Sequence, residues 1–499
     1  IDLMHTVFCL GRGGNGPSGI CLSYLLSGYK PYLDPSAVHP NPVLYRKLQE
    51  TRHLPITEQD LEYLSEGLEG RSGNPVAVLF DTLLHPNADF GYEFPPVLQW
   101  RRDKQQHLPH LVLGRATPGG AWHVSYSYTS LLKDLLFDNE CSSPPPPPRG
   151  VTNDRATPEE ISSYYRNYVK LMGLKQNFVD NTYVTSVQKL FRGAGGLWEV
   201  RGYQRVQGDT HVPFCLFSEN VVLATGASDS PAQLGVEGEE LPFVFHSISA
   251  LGLAVSRKKL GPNSDPVLIV GAGLSAADAV LCACNNNISV LHVFRKHVDD
   301  PGLIFKQLPK TLYPEYHKVY HMMHSQTHAT PNMAATSTTN GLPSMAASVC
   351  SKMCSKPQPT TTNMAASGGP VLFPDYTSFP EHCVVSFQPD MKCVLQGSNS
   401  LKAFKISMAL VLIGTHPNLF FLKGQGQYLG LDPTKPISCK QNPVDVHPYT
   451  FECTKDPGLF AMGPLVGDNF VRFLKGGALG IASCLLKRLK KKGKGGGSS

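Results

Sequence analysis

Two glycine-rich loops constrain this chain more than any other feature: Gly14-Asn15-Gly16-Pro17-Ser18-Gly19 and Gly271-Ala272-Gly273-Leu274-Ser275-Ala276, each running into an apolar helix. In such a loop the first glycine permits a tight turn. The second lets a diphosphate approach the backbone, where free amides and the positive helix end receive its charge. The second loop stands in a complete unit, with an apolar strand at 266–270, a helix through Ala283 and another strand at 288–294. Alanine at the third position, Ala276, is tolerated. The first loop follows an apolar stretch at 6–10, but Gly11-Arg12-Gly13 intervenes, and its helix covers 20–26. One GxGxxG is weak evidence. Two of them predict an α/β chain of two dinucleotide-binding, Rossmann-like domains, the second inserted in the first.

The residues after each unit bear on the nucleotide. Arg295 and Lys296 stand where an NAD-binding domain carries an acid for the ribose 2′-hydroxyl; a cation there meets a 2′-phosphate, so NADPH is favoured at Gly271, Gly273, Ser275 and Ala276. A pair of exposed basic residues ending a strand is the plainer alternative. The first loop, with Gly14, Gly16, Ser18 and Gly19, is assigned to FAD. Asp34 lies at the right distance to bind ribose, although Pro31 disturbs the strand before it. A strand at 221–224 ends in Ala-Thr-Gly226, as where a chain crosses between dinucleotide domains, and 411–414 (VLIG) reads as a return crossing. Gly467-Asp468 follows a short strand and precedes a glycine-opened helix, the place where an aspartate binds the ribityl chain of a flavin; a simple loop turn is the alternative.

The chain's 499 residues exceed one ordinary core, so several domains are expected. The composition, 41% hydrophobic and 17% charged, is that of a globular protein, and the net charge of +6 calls for no nucleic acid. Much of that charge lies in Lys487, Arg488, Lys490, Lys491, Lys492 and Lys494, read as a solvated, flexible tail at 487–499, with a nuclear address or an anionic surface as alternatives. Thirteen scattered cysteines without a CxxC pair argue against a structural zinc or a disulfide scaffold and for reduced thiols in the cytosol or nucleus. No apolar run reaches the roughly 20 residues of a membrane helix. No metal cluster or catalytic triad asserts itself. Pro144 to Pro148 form a stiff linker within 141–150, and residues 325–370, with three near-repeats of an Met-Ala-Ala motif, are low-complexity sequence expected to be disordered. The domain reading is FAD-binding 1–245, NADPH-binding 246–407, FAD-binding again 408–486, then the tail.

With these residues identified, the chain resembles the oxidative-stress-induced growth inhibitor family. The matching stretches are 14–32, 60–86, 119–123 (GGAWH), 265–281, 300–324 and 463–479 (GPLVGDNFVRFLKGGAL). The resemblance implies an FAD- and NADPH-dependent, monooxygenase-like protein linked to control of growth and differentiation, with germ-cell maturation proposed in the family. Gly119-Gly120-Ala121-Trp122 is similar to the GGxW of flavin-containing monooxygenases and N-hydroxylases, which implies Trp122 beside the flavin ring. Residues 242–247 (PFVFHS) look like part of their His-Ser signature, but Pro242 replaces its glycine, so His246 reads as structural. Three departures stand out: the insertion at 11–13, the replaced segment 124–150 and the expanded loop at 325–370. The first two fall on the FAD side.

The implied chemistry is hydride transfer from NADPH to FAD, then delivery of one oxygen atom from O2 to a small-molecule substrate. The rival is a regulator that keeps the flavoprotein fold, turns over little and acts through protein partners. A disulfide reductase is a poor third, because no redox CxxC or CxxxxC follows the first loop. No acid–base residue is assigned.

Overall fold

The computed structural model describes residues 7–10, 14–92, 94–120, 158–190, 196–206, 210–228, 230–308, 310, 313–325, 375–398 and 400–495. Among them are two five-stranded, wholly parallel sheets. The first runs Leu459–Ala461, Asn220–Leu223, Val7–Leu10, His110–Leu113, Phe178–Val179. The second runs Val244–Phe245, Met408–Val411, Val267–Val270, Val290–Phe294, Tyr376–Pro380. In each, the strand entering a glycine loop is central and the next two in sequence lie outward on one side. The chain then makes a three-stranded antiparallel meander and returns on the other side. The meanders are Thr182–Lys189, Trp198–Val206, Thr210–Ser218 and Cys383–Gln388, Lys392–Gln396, Leu401–Lys405. The whole second sheet falls between Asn220–Leu223 and Leu459–Ala461 in sequence, so one α/β unit is nested in the other. The two crossings meet: Ser230–Pro231 pairs antiparallel with Thr415–His416, and the Ala232 amide donates to Gly414 O at 3.0 Å.

The second sheet shows why its strands read as continuous apolar runs. Val267, Ile269, Met408 and Leu410 face a core shared with the helices Leu274–Asn285 and Pro314–Ser325. Leu268, Val270, Ala409 and Val411 face the opposite core, built with Phe387, Cys393 and Leu395 of the meander. Side chains alternate across a strand, so a sheet covered on both sides needs apolar residues at every position.

The first core is closed by the long helix Val471–Gly495, which packs on the helices Pro17–Leu26 and Pro75–Leu84. Gly476 is what allows that approach, since a Cβ there would stand 2.2 Å from Ala77 Cα. Arg472 at the start of the long helix reaches Asp81 through Nε and Nη2, at 2.8 and 2.6 Å, and both side chains are buried.

Several expectations change. The strand Met408–Val411, assigned to the FAD unit, lies in the second sheet between Val244–Phe245 and Val267–Val270, and Val244–Phe245 is its edge, so that unit spans 244–411 rather than 246–407. An apolar run announces a buried strand but not which sheet it joins. The basic stretch from 487 is not a flexible tail: the helix continues to Gly495. Lys487 donates to Gln59 O, and Arg488, Lys490 and Lys492 pair with Glu452, Glu58 and Glu219. Cations suit the negative end of a helix, and acids distant in sequence anchor them here. The segment 141–150 and residues 326–370 lie outside the described residues. No described helix is long and apolar enough to cross a membrane.

Candidate dinucleotide sites

Both glycine loops lie at the carboxyl ends of central parallel strands, the edge of an open α/β sheet where ligands bind. Each leads into a helix whose N-cap is glycine, Gly16 or Gly273, with no side-chain cap. Elsewhere Asn41 and Asp60 cap helices with their side chains. An uncapped start leaves its first amides for an incoming anion.

The second loop is an open cradle. Gly271 has φ +128°, and a Cβ on it would lie 2.3 Å from Leu412 O. At Gly273 a Cβ would meet nothing within 4 Å. Ser275 is exposed and Ala276 buried against the core. His292 braces the turn from beneath. Gly271 O can only accept, so Nε2 carries the proton and donates to it at 2.7 Å, while Tyr376 OH donates to Nδ1 at 2.7 Å. Burial holds His292 down to about 4, a neutral ring. Arg295 follows the strand Val290–Phe294, exposed and, among the described residues, without an ion pair or hydrogen bond. Lys296 pairs instead with Asp300 at 3.3 Å. The contrast between the glycines gives an expected result. Gly271→Ala destabilises the fold by roughly 2 kcal/mol or more. Gly273→Ala leaves thermal unfolding within about 1 kcal/mol, because a Cβ there meets nothing, and melting curves of the two variants read the difference.

The first loop is more enclosed. Gly14, Asn15, Gly16, Ser18 and Gly19 are buried, and a Cβ on Gly19 would stand 1.8 Å from Gly14 O. Asn15 ties down the following segment: its Nδ2 donates to Ala116 O, and its carbonyl accepts from the Gly119 amide at 2.9 Å. Asn15 Oδ1 is buried without a hydrogen-bond partner among the described residues. The 3₁₀ turn Gly463–Val466 touches this loop, since a Cβ on Gly463 would lie 2.6 Å from Ser18 Oγ. Beyond it Gly467 takes φ +94° and turns Asp468 inward. Asp468 Oδ1 accepts from Ser72 Oγ at 2.6 Å, whereas Oδ2 is buried without a hydrogen-bond partner among the described residues. Burial pushes the Asp468 carboxyl up to about 6, against the hydrogen bonds from Ser72 and Asn74. Ser72 was not anticipated; nothing in its local sequence marks it. Gly226 has φ +70° and open space where a Cβ would be, in the outgoing crossing. Trp122 lies outside the described residues.

One other position differs from expectation. Asp34 is not at a nucleotide edge. Its strand, Tyr29–Leu33, pairs antiparallel with Leu98–Arg102 apart from the parallel sheet, and its carboxylate accepts from the amide and hydroxyl of Ser36. The strand beside Val7–Leu10 is His110–Leu113, followed by Gly114 and Arg115. His246 donates to or accepts from nothing catalytic: its Nε2 meets Glu239 at 2.8 Å, and Glu239 also receives the amides of Leu234 and Gly235. The pair fastens the loop after the outgoing crossing.

Two nested parallel sheets with paired glycine loops define the class of FAD- and NAD(P)-binding folds. A bacillithiol disulfide reductase from Bacillus cereus shares that fold at TM-score 0.50 and 14% identity, over 76% of this chain and 91% of that one. No family model matches the chain. It is 54% identical over 511 residues to the human protein named oxidative stress-induced growth inhibitor 2, covering 96% of this chain and 93% of that one. It is 48% identical to mouse oxidative stress-induced growth inhibitor 1, covering 96% and 95%. The chain belongs to the oxidative stress-induced growth inhibitor family.

Proposed function

We propose that this chain is an FAD- and NADPH-dependent, monooxygenase-like flavoprotein acting in the control of cell growth and differentiation. The observation that carries the reading is the pairing of two uncapped helix starts at equivalent edges of two similarly wound sheets, with Arg295 ending the strand next to one loop and Gly463–Val466, which leads to Asp468, touching the other; among the described residues Arg295 and Asp468 Oδ2 have no partner. The residues fit the cofactors in kind. Amides at the start of Leu274–Asn285 receive the diphosphate of NADPH, and Arg295 its 2′-phosphate. Those at the start of Pro17–Leu26 receive the diphosphate of FAD, and Asp468 Oδ2 accepts from a ribityl hydroxyl. Such a pair, when bound, supplies hydride transfer from nicotinamide to flavin and the reaction of reduced flavin with oxygen. The growth-control part rests on the names of the relatives.

The test is the spectrum of the purified chain. Flavin absorbance bleached by NADPH and restored by air, with oxygen consumed, supports turnover; a stable, colourless protein that takes up no added FAD overturns it. Arg295→Ser lowers NADPH affinity by roughly tenfold to a hundredfold, the worth of one or two charge-assisted contacts, and leaves NADH affinity unchanged, measured by parallel titrations.

A second reading, a regulator of low turnover working through protein partners, is favoured by one observation. The first site lacks a carboxylate at the end of its second strand, where Gly114 stands.

A further inference from the structure

We propose that the first glycine-loop site recognises the adenosine half of its dinucleotide through the Arg115 guanidinium, because the place of a ribose-binding carboxylate is filled by Asn15. The proposal rests on the reading of that loop as the FAD site and adds how its far end is held.

In a sheet of this winding the ribose contact comes from the end of the strand beside the glycine-loop strand. In the first sheet that end is Gly114. Its amide donates to Val179 O at 3.1 Å and its carbonyl accepts from Thr182 at 2.9 Å, so the backbone is fixed from the third strand. A Cβ on Gly114 would lie 2.2 Å from Asn15 Nδ2 and 2.3 Å from its Cγ. The Asn15 carboxamide therefore occupies the space through which an acidic side chain would leave the strand. It is wholly buried and bonded to Ala116, so it cannot step aside without breaking that bond.

The next residue, Arg115, is placed to substitute. Its Cζ lies 5.5 Å from the Tyr183 ring centroid and 5.9 Å from that of Phe420. Among the described residues it makes no ion pair or hydrogen bond, and it is half-buried. Aromatic faces hold a guanidinium by cation–π attraction while leaving its in-plane N–H groups free. Tyr183 is itself stacked on Tyr203, at 5.1 Å with 7° between planes, and Arg205 covers Tyr183 at 5.4 Å. The platform thus fixes a planar cation at the carboxyl edge, with donors for ribose oxygens and a flat face for adenine. A carboxylate accepts from ribose hydroxyls. A guanidinium donates to their oxygens and adds attraction for the neighbouring diphosphate, which makes retention sensitive to salt.

The test titrates the full-length chain, stripped of flavin, with FAD and with FMN, which lacks the adenosine half. The expected result is that Arg115→Gln weakens FAD by roughly tenfold or more, weakens FMN, which keeps only one phosphate, far less, leaves thermal unfolding nearly unchanged, and flattens the salt dependence of FAD binding. Arg115→Lys, which keeps the charge but not the planar fork, lies between. Wild-type affinity for FAD retained in Arg115→Gln, or an equal loss of FAD and FMN, overturns the proposal and leaves the FAD reading standing. A native chain that binds neither FAD nor FMN overturns both.

Discussion

Replacing Arg472 with alanine is expected to destabilise the outer unit by about 3–5 kcal/mol, the cost of leaving a buried carboxylate without its partner. Asp81 has almost no access to water, and two guanidinium nitrogens of Arg472 meet its two oxygens at 2.8 and 2.6 Å. A further contact reaches Asp89 at 3.3 Å. Calorimetry reads the effect: one transition falls by roughly 10 °C, while that of the inserted unit, whose cores contain neither residue, stays in place. The double variant Asp81→Leu with Arg472→Met recovers most of the loss, because removing both charges removes the desolvation penalty as well. Were the double variant as unstable as the single, the pair's value would lie in geometry that leucine and methionine cannot supply.

Acidification is the second large effect. His110 and His292 sit on equivalent strands of the two sheets, and burial holds each down to about 4. His110 is kept neutral in a closed arrangement, its Nδ1–H donating to Leu108 O at 2.7 Å and its Nε2 accepting from Ser23 Oγ at 2.8 Å. In the unfolded chain both rings titrate near 6.5. Between 6.5 and 4 the unfolded state therefore binds more protons, and stability rises with pH across that window. The contribution is complete above pH 6.5 and is lost as pH falls towards 4, by about 3 kcal/mol for each ring. Together that is a large share of a typical 5–15 kcal/mol. Denaturant melts at pH 7, 6, 5 and 4 measure the slope, and His110→Gln together with His292→Gln lowers it; burial holds His85 down to about 2 and adds to it, whereas the raised carboxyl of Asp468 opposes it.

What could be read in advance follows how local its cause is. Gly271 is legible because a turn at positive φ with a carbonyl against it is a demand that one residue type meets within a few positions. The strands 220–224 and 266–270 are legible because two-sided burial writes itself as an unbroken apolar run. The strand that lies beside the first glycine-loop strand was not legible. Tyr29–Leu33 follows the loop helix in sequence, but the neighbour in space is His110–Leu113, some eighty residues on, after an excursion of helices. The same holds for 487–495, whose charges suggest a solvated end until Glu58, Glu219 and Glu452 are brought beside them from three distant segments. Ser72 beneath Asp468 is a contact between residues 396 positions apart.

The closing of the first core by Val471–Gly495 has a consequence for how the chain is made. Residues 244–411 form a continuous stretch and can complete their sheet as soon as they leave the ribosome. The surrounding unit cannot: Asp81 waits for an arginine 391 residues later, and Ala77 for Gly476. Throughout that interval the apolar faces of Pro17–Leu26 and Pro75–Leu84 stay uncovered. The emerging polypeptide thus has the contacts of its inner module available early, while those of the outer one wait for Val471–Gly495.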